Sequence, residues 1–301
     1  MADITRSGGN LRKGARSARW ENARRSFYRF RTNVLSMLGL GVLLLLFVIA
    51  VTAPAIVPFP QDATGKLHVL ERLEPPSTVH PFGTDHVGRD IFSRVLMGTG
   101  LALKVGVVII LMAATIGVSL GAVAAYAGGW VDELLMRITD IFLTVPAFIL
   151  AIAITAALGK GITNVMIGIS LVWWPGFARL TRSLVLSLRE DAFVEAANGI
   201  GASHSRILFR HILPNAVSPI IVKMSTDFGF AVLTAAALGF IGLGAQPPTP
   251  EWGAMINSGR DYFPDKWWVA TFPGLAIFVV VFSWNLLGDG LRDVLDPRSR
   301  R

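Results

Sequence analysis

The chain of 301 residues contains no cysteine, which excludes disulfides and thiolate metal sites but leaves the compartment open. Charge is scarce as well: only 16% of residues are Asp, Glu, Lys or Arg, against roughly 25% in an ordinary soluble domain. A phosphate cradle of the form G-x-x-x-x-G-K-[ST] is missing. The nearest fragment, "GKG" at 159–161, lacks the upstream glycine and the following Ser or Thr, so this polypeptide is not expected to bind or hydrolyse ATP. His68, His80, His86, His204 and His211 are scattered, and no nucleophile, base and acid fall into a catalytic arrangement. His80 and His86, six apart in a loop, make a weak metal pair at best. The chain reads as a non-enzyme with no catalytic residues, metal site or cofactor of its own.

Apolar residues, by contrast, make up 52% of the chain. Long uncharged runs occupy Val34–Val57, Val105–Tyr126, Ile141–Leu158, Ile162–Ala178 and Trp267–Leu287. Each reaches or nearly reaches the roughly 17–25 residues that cross about 30 Å of hydrocarbon. A sixth run, Ala216–Leu243, is long enough but carries Lys223 and Asp227. The expected fold class is an all-α membrane protein with six transmembrane helices. The first run starts more than thirty residues in and exceeds the roughly 7–15 apolar residues of a secretory signal, so a retained anchor is expected.

The formal net charge of +8 is unevenly spread. Lys and Arg number nine in residues 1–32, one in 127–140, five in 179–215 and four from residue 289 onward, against seven in the alternate connections. Cytoplasmic segments keep the excess of Lys and Arg, which puts both termini and the 179–215 loop in the cytoplasm. The expected organisation is a basic cytoplasmic tail (1–32), a first transmembrane helix (33–58), an extracytoplasmic segment with an amphipathic helix (59–100), a core of five transmembrane helices with a cytoplasmic loop (101–290), and a cytoplasmic C-terminal tail (291–301). The basic tail would be drawn to an anionic lipid leaflet. No nucleic-acid reader module accompanies it.

Within the extracytoplasmic segment, Asp90 can cap a short helix whose Ile91, Val95 and Leu96 share a face, with Arg94 on the polar side. This suggests a helix lying on the outer membrane surface. In the second outer loop, Pro247, Pro248 and Pro250 forbid a helix, and Trp252, Trp267 and Trp268 suit the membrane interface. Trp173 and Trp174 read as anchors, with a hinge at Pro175–Gly176. Gly117, Gly121, Gly128 and Gly129 suit close helix packing, and Arg137 and Asp140 read as an interfacial pair.

The loop "VEAANGIGASHSRILFRHILPN" (194–215) is small, polar and basic between two apolar runs. Phe193, Val194, Ala197 and Ile200 fall on one helical face, and Gly199 and Gly201 then break the helix. Ser203 can cap a second helix with an Ile207, Leu208, Ile212 stripe. Pro214 disfavours a helical Leu213, so that helix should end there. The small residues Ala196, Ala197, Gly199, Gly201 and Ala202 allow a close approach, either to the groove of a cytoplasmic partner or to nothing, in an ordinary intracellular loop.

Glu195, Ala196, Ala197, Gly201, Leu213 and Pro214 resemble the EAA loop of ABC-transporter permeases. His211 departs from the usual apolar residue. The blocks "HPFGTDHVGRDIFSRVLMGTG" (80–100), "GFIGLGAQPPTPEWGAM" (239–255) and "FPGLAIFVVVFSWNLLGDGLRDVLDPR" (272–298) are similar to the second permease of the dipeptide/oligopeptide (DppC/OppC-like) branch. The resemblance implies a type I, binding-protein-dependent importer permease of a bacterial inner membrane. It also implies a homologous second permease subunit, two ATPase subunits that hold ATP and Mg, and an extracytoplasmic substrate-binding protein. Glu195, Ala196, Ala197, Gly201, Ala202 and Arg206 would form the coupling contact.

Lys223 and Asp227, four apart on the fifth span, share a face and can pair. Intramembrane charges point to function: the pair would line the pathway, or satisfy itself against the partner permease. An ion-gradient-driven secondary transporter is the alternative class, although no internal repeat is visible. The solute stays open among di- and oligopeptides, glutathione, nickel chelates and opine-like compounds.

Overall fold

The computed structural model describes Tyr28 and residues 30–295. Nearly all of the expected tail 1–32 and most of the tail 291–301 lie outside the described residues. The described chain forms ten α-helices: α1 (Val34–Ile56), α2 (Ile91–Ala127), α3 (Gly129–Thr144), α4 (Ala147–Leu158), α5 (Ile162–Arg189), α6 (Ala192–Gly199), α7 (His204–Ile207), α8 (Leu213–Phe240), α9 (Trp252–Gly259) and α10 (Trp268–Leu295). Among the described residues the only β pairing is an isolated bridge between Thr84 and Asp90.

Four helices are long and apolar enough to cross a membrane alone: α1, α2, the continuous run His204–Phe240, and α10. Helices α3 and α4 make a fifth crossing if their 93° bend is a broken span. The remaining long helix, α5, has 28 residues, and Asn164, Pro175 and Arg179 reduce its apolarity. Among the described residues, crossing length with sufficient apolarity is thus shown for four or five elements rather than six.

Three boundaries differ from expectation, each for a local reason. The run Ile141–Leu158 is not one helix. Pro146 disfavours the α conformation in the residue before it, and Val145 is extended (φ −86°, ψ 134°). The segment 91–100 is not a separate surface helix but the first three turns of α2. Asp90 caps it as expected, its Oδ2 accepting from the Ser93 N–H at 2.7 Å. The helix after Ser203 does not stop at Leu213 either. A π turn at Leu208–Ile212 widens the register, the Leu213 N–H bonding to the Leu208 carbonyl. The chain re-enters α8 with Pro214 in its first turn, where a missing N–H costs nothing.

The most extensive helix pairing is α2 on α5. Gly117 lies against the Trp174 carbonyl and the Phe177 Cβ, and Gly121 against the Ala178 carbonyl. Lipid supplies no hydrophobic drive between helices, so close backbone approach by small residues supplies contact instead. Gly128 and Gly129 do not serve packing. A Cβ on either would meet nothing within 4 Å, and they adopt φ +65° and +52° in the α2–α3 turn. Phe228 of α8 stacks on Trp284 of α10 at 3.8 Å, and α1 packs on α10, with Gly39 at Ser283 and Leu286.

Candidate functional site

The helix–turn–helix knuckle stands on a small core of its own. Val194 and Ala197 of α6 pack with Ile207, Leu208 and Ile212 against Val185 of α5 and against Ala122 and Ala125 of α2. Arg189 Nη1 donates to the Ala125 carbonyl at 3.0 Å, and Tyr126 Oη meets His204 Nδ1 at 2.9 Å. The chain reverses at Gly201, whose φ is +77°, a region that costs an L side chain roughly 1–2 kcal/mol. Its N–H bonds the Asn198 carbonyl at 2.9 Å, and the Ala202 N–H bonds that of Ala197 at 3.1 Å. Ser203 occupies the cap position of α7, but its side chain makes no capping bond.

Half of the expected apolar face points outward. Ile200 is 86% exposed and Phe209 69%, with Phe193 also exposed. Ile200 follows the last residue of α6 and therefore escapes the helical period. Glu195, Ala196, Gly199, Gly201 and Arg206 are exposed beside it, and Ala202 is half-buried. A Cβ placed on Gly199 or Gly201 would meet nothing within 4 Å. Packing within the chain therefore does not explain why the tip is small.

Lys223 and Asp227 do pair, Nζ to Oδ2 at 2.8 Å. Lys223 Nζ also sits 5.1 Å from the centre of the Phe177 ring, and Gly176 leaves it room. The pair therefore faces α5. Arg137 and Asp140 do not pair with each other. Arg137 reaches Glu133 at 3.5 Å, and Asp140 accepts from Arg179 at 2.6 Å. The stronger link is between Arg182 and Asp132, a two-pronged contact at 2.6 and 2.5 Å that ties α3 to α5. The expected hinge lies within a continuous α5, and Trp174 is not an anchor but is buried, edge-on to Phe142.

At the other end of α8 the two long connections clasp each other. Arg94 is 3% exposed rather than on a polar face. Its Nη1 donates to the Asp62 carbonyl at 2.7 Å and the Pro248 carbonyl at 3.1 Å. Trp252, 2% exposed, donates from Nε1 to the Val95 carbonyl at 3.1 Å. Trp268 is buried too, donating to the Thr84 carbonyl at 3.4 Å. Of these three tryptophans, Trp267 alone is exposed as an interface residue would be. His80 bonds Asp90 at 3.0 Å while His86 stacks on Tyr262, so the two histidines serve different contacts. Glu251 caps α9, accepting from the Gly253 and Ala254 N–H groups at 2.8 Å each. Burial pushes its carboxyl above the ordinary range, and those two bonds oppose the shift.

A bundle of apolar helices with a small-residue knuckle at one end, a folded clasp at the other and an ion pair between is the architecture of a membrane transport subunit. The chain belongs to the family of binding-protein-dependent transport system inner membrane components, whose model matches residues 117–301. Residues 19–76 match the N-terminal transmembrane domain of oligopeptide transport permease C. The chain is 45% identical over 277 residues to the dipeptide transport system permease protein DppC of Alkalihalophilus pseudofirmus, covering 92% of this chain and 90% of that one. It is 47% identical over 272 residues to the glutathione transport system permease protein GsiD of Escherichia coli, covering 90% and 89%. It is 41% identical over 278 residues to the probable D,D-dipeptide permease DdpC of E. coli, covering 92% of each. The fold resembles an inward-facing structure of the MetNI methionine ABC transporter, with a TM-score of 0.56 at 18% identity, covering 68% of this chain and 97% of that one.

Proposed function

We propose that the chain is one of two homologous permease subunits in the inner membrane of a bacterium. It passes short peptides or glutathione-like solutes from an external binding protein into the cytoplasm, driven by two separate ATPase subunits. Names of relatives at 41–47% identity support the solute class, and the distribution of Lys and Arg supports cytoplasmic termini and a cytoplasmic knuckle. The domain division given above follows, except that 91–100 belongs to α2, with α5 as the sixth span. ATP and Mg belong to the ATPases.

One observation carries the mechanism: the knuckle is rigidly founded yet presents a small, partly apolar tip that nothing in its own chain fills. Glu195, Ala196, Gly201, Ala202 and Arg206 form the seat for an ATPase groove, and Ala197 backs them from the knuckle's buried core. Closure of the ATPases around ATP moves the knuckle as a body, and its core hands the motion to α2, α5 and α8. This is a two-state element biased by a ligand bound elsewhere. The test is uptake of a labelled dipeptide into proteoliposomes holding the four-subunit assembly. Uptake should require ATP and the loaded binding protein; uptake driven by a proton or sodium gradient without ATP would establish the secondary-transporter alternative.

In this reading Lys223 and Asp227 line the solute route, the cation near a peptide carboxylate and the anion near its amine. Removing one partner strands a charge in a poorly solvated place, which costs more than removing both. The Lys223→Met, Asp227→Leu double variant should therefore assemble and shift the preference between dipeptides and their terminally blocked analogues. Unchanged preference would remove the pair from the route.

A further inference from the structure

A cavity of about 460 Å³ opens at the clasp, between the 59–90 segment, the end of α8 and the loop into α9. That is within the roughly 300–1,000 Å³ of small-ligand pockets. Its charged lining is Arg89, Arg94 and Lys160, with His86 beside them and no Asp or Glu among the lining residues. Asn257 and Ser258 supply neutral polar groups on the α9 side.

The nearby carboxylates are already committed. Asp85 accepts from Arg89 Nε at 2.7 Å and from the N–H groups of Val87 and Arg89 at 2.9 and 3.0 Å, and it stands 3.9 Å from Arg94. Asp62 holds His68 at 3.1 Å and the Asp90 N–H at 2.7 Å. Two guanidinium groups, each more than nine-tenths buried, thus have only the carboxylate of Asp85 within 4 Å among the described residues, with Asp62 acting on Arg94 from farther off, and the exposed Lys160 adds a third cation. Arg94 Nε and His86 Nδ1 are buried with no hydrogen-bond partner. Burial lowers the His86 pKa; Asp85 opposes that, while Arg89, Arg72 and Arg94 add to it. Cations left this short of counter-charge in a cleft are costly alone and strongly attractive to an anion.

We propose that this cavity receives the free carboxylate of the incoming solute, with Arg89 and Lys160 as its cationic partners, Arg94 adding positive field from behind, and Asn257 and Ser258 as the polar wall. The proposal rests on the reading of the chain as a peptide permease. Deeply set arginines suit a small carboxylate, whereas a docked protein would place its charge pairs on the rim.

The absence of cysteine makes the test direct. In the assembled importer, Ser258→Cys places a single thiol of this chain in the cavity. An anionic methanethiosulfonate (ethylsulfonate) should label it about tenfold faster than a cationic one (ethyltrimethylammonium), relative to their rates with a free thiol. Lys160→Gln and high salt should each reduce that preference. Millimolar glycylglycine should slow labelling, and glycylglycinamide should not. The proposal is overturned by absence of a charge preference, by equal protection from acid and amide, or by protection from the binding protein alone. ATP-driven uptake by the unsubstituted importer reports separately on the permease reading, so intact uptake there with no charge preference at the cavity sinks only the cavity assignment.

Discussion

Replacing Gly199 with tryptophan is expected to stop transport while leaving the protein folded and inserted. The site is chosen because the chain itself does not oppose the change. A Cβ at Gly199 would meet nothing within 4 Å, the residue is exposed, and its backbone does not need the left-handed region that Gly201 occupies at φ +77°. Tryptophan is also a better helix former than glycine. Any large loss must then come from a body that seats against the tip. A misfitted anchor at a buried interface typically costs about 2 kcal/mol or more, which corresponds to roughly 30-fold in affinity. Dipeptide uptake and ATP hydrolysis stimulated by the loaded binding protein should both fall by at least that order. Gly201→Trp should do the same, but it combines bulk with strain, so Gly201→Ala is its control: strain alone should leave most of the coupling. Normal uptake by Gly199→Trp in a correctly inserted protein would end the docking account.

The knuckle was legible in the sequence because its signals are local. The Gly201 turn, the Val194–Ala197 contact and the Asp90 cap all act within a few residues. The Lys223–Asp227 pair obeys the four-residue helical repeat and was visible for the same reason. What was not legible depends on distance along the chain. Arg94 looks polar on a helical projection, but its partners include a carbonyl at Pro248, 154 residues away. Asp132 and Arg182 are 50 residues apart, and neither has a spacing that announces the other. Trp252 reads as an interfacial belt residue until the Val95 carbonyl is brought to it. Pro214 misled differently. The π turn at Leu208–Ile212 shifts the register, and the Pro214 ring then falls in the first turn of α8, a place that needs no N–H. The bend at Pro146 was a missed signal rather than an absent one, since the same rule applied to Val145 predicts it.

The crossing of α2 on α5 yields the largest expected effect on stability. Gly117 and Gly121 are four apart, as are Trp174 and Ala178, so one ridge of small residues on α2 meets one stretch of backbone on α5. What a Cβ would strike there is chiefly carbonyl and main-chain atoms, which cannot rotate out of the way as a side-chain tip can. Overpacking of a tight core usually costs about 1–3 kcal/mol, occasionally more, and a rigid backbone neighbour places leucine at the upper end. Each 1 kcal/mol shifts the midpoint by roughly 2–4 °C in a chain of about this size. Gly121→Leu should therefore lower the thermal midpoint in detergent by roughly 6–12 °C. Gly41→Leu in α1 is the matched control, since a Cβ there would meet nothing within 4 Å. Equal midpoints for the two variants would mean that the helices do not approach as described. The outcome bears on function as well. Ala122 and Ala125, immediately beyond Gly121, form the floor on which the knuckle stands. A wedge at Gly121 should loosen that floor, so uptake should fall even at temperatures where the variant is still folded.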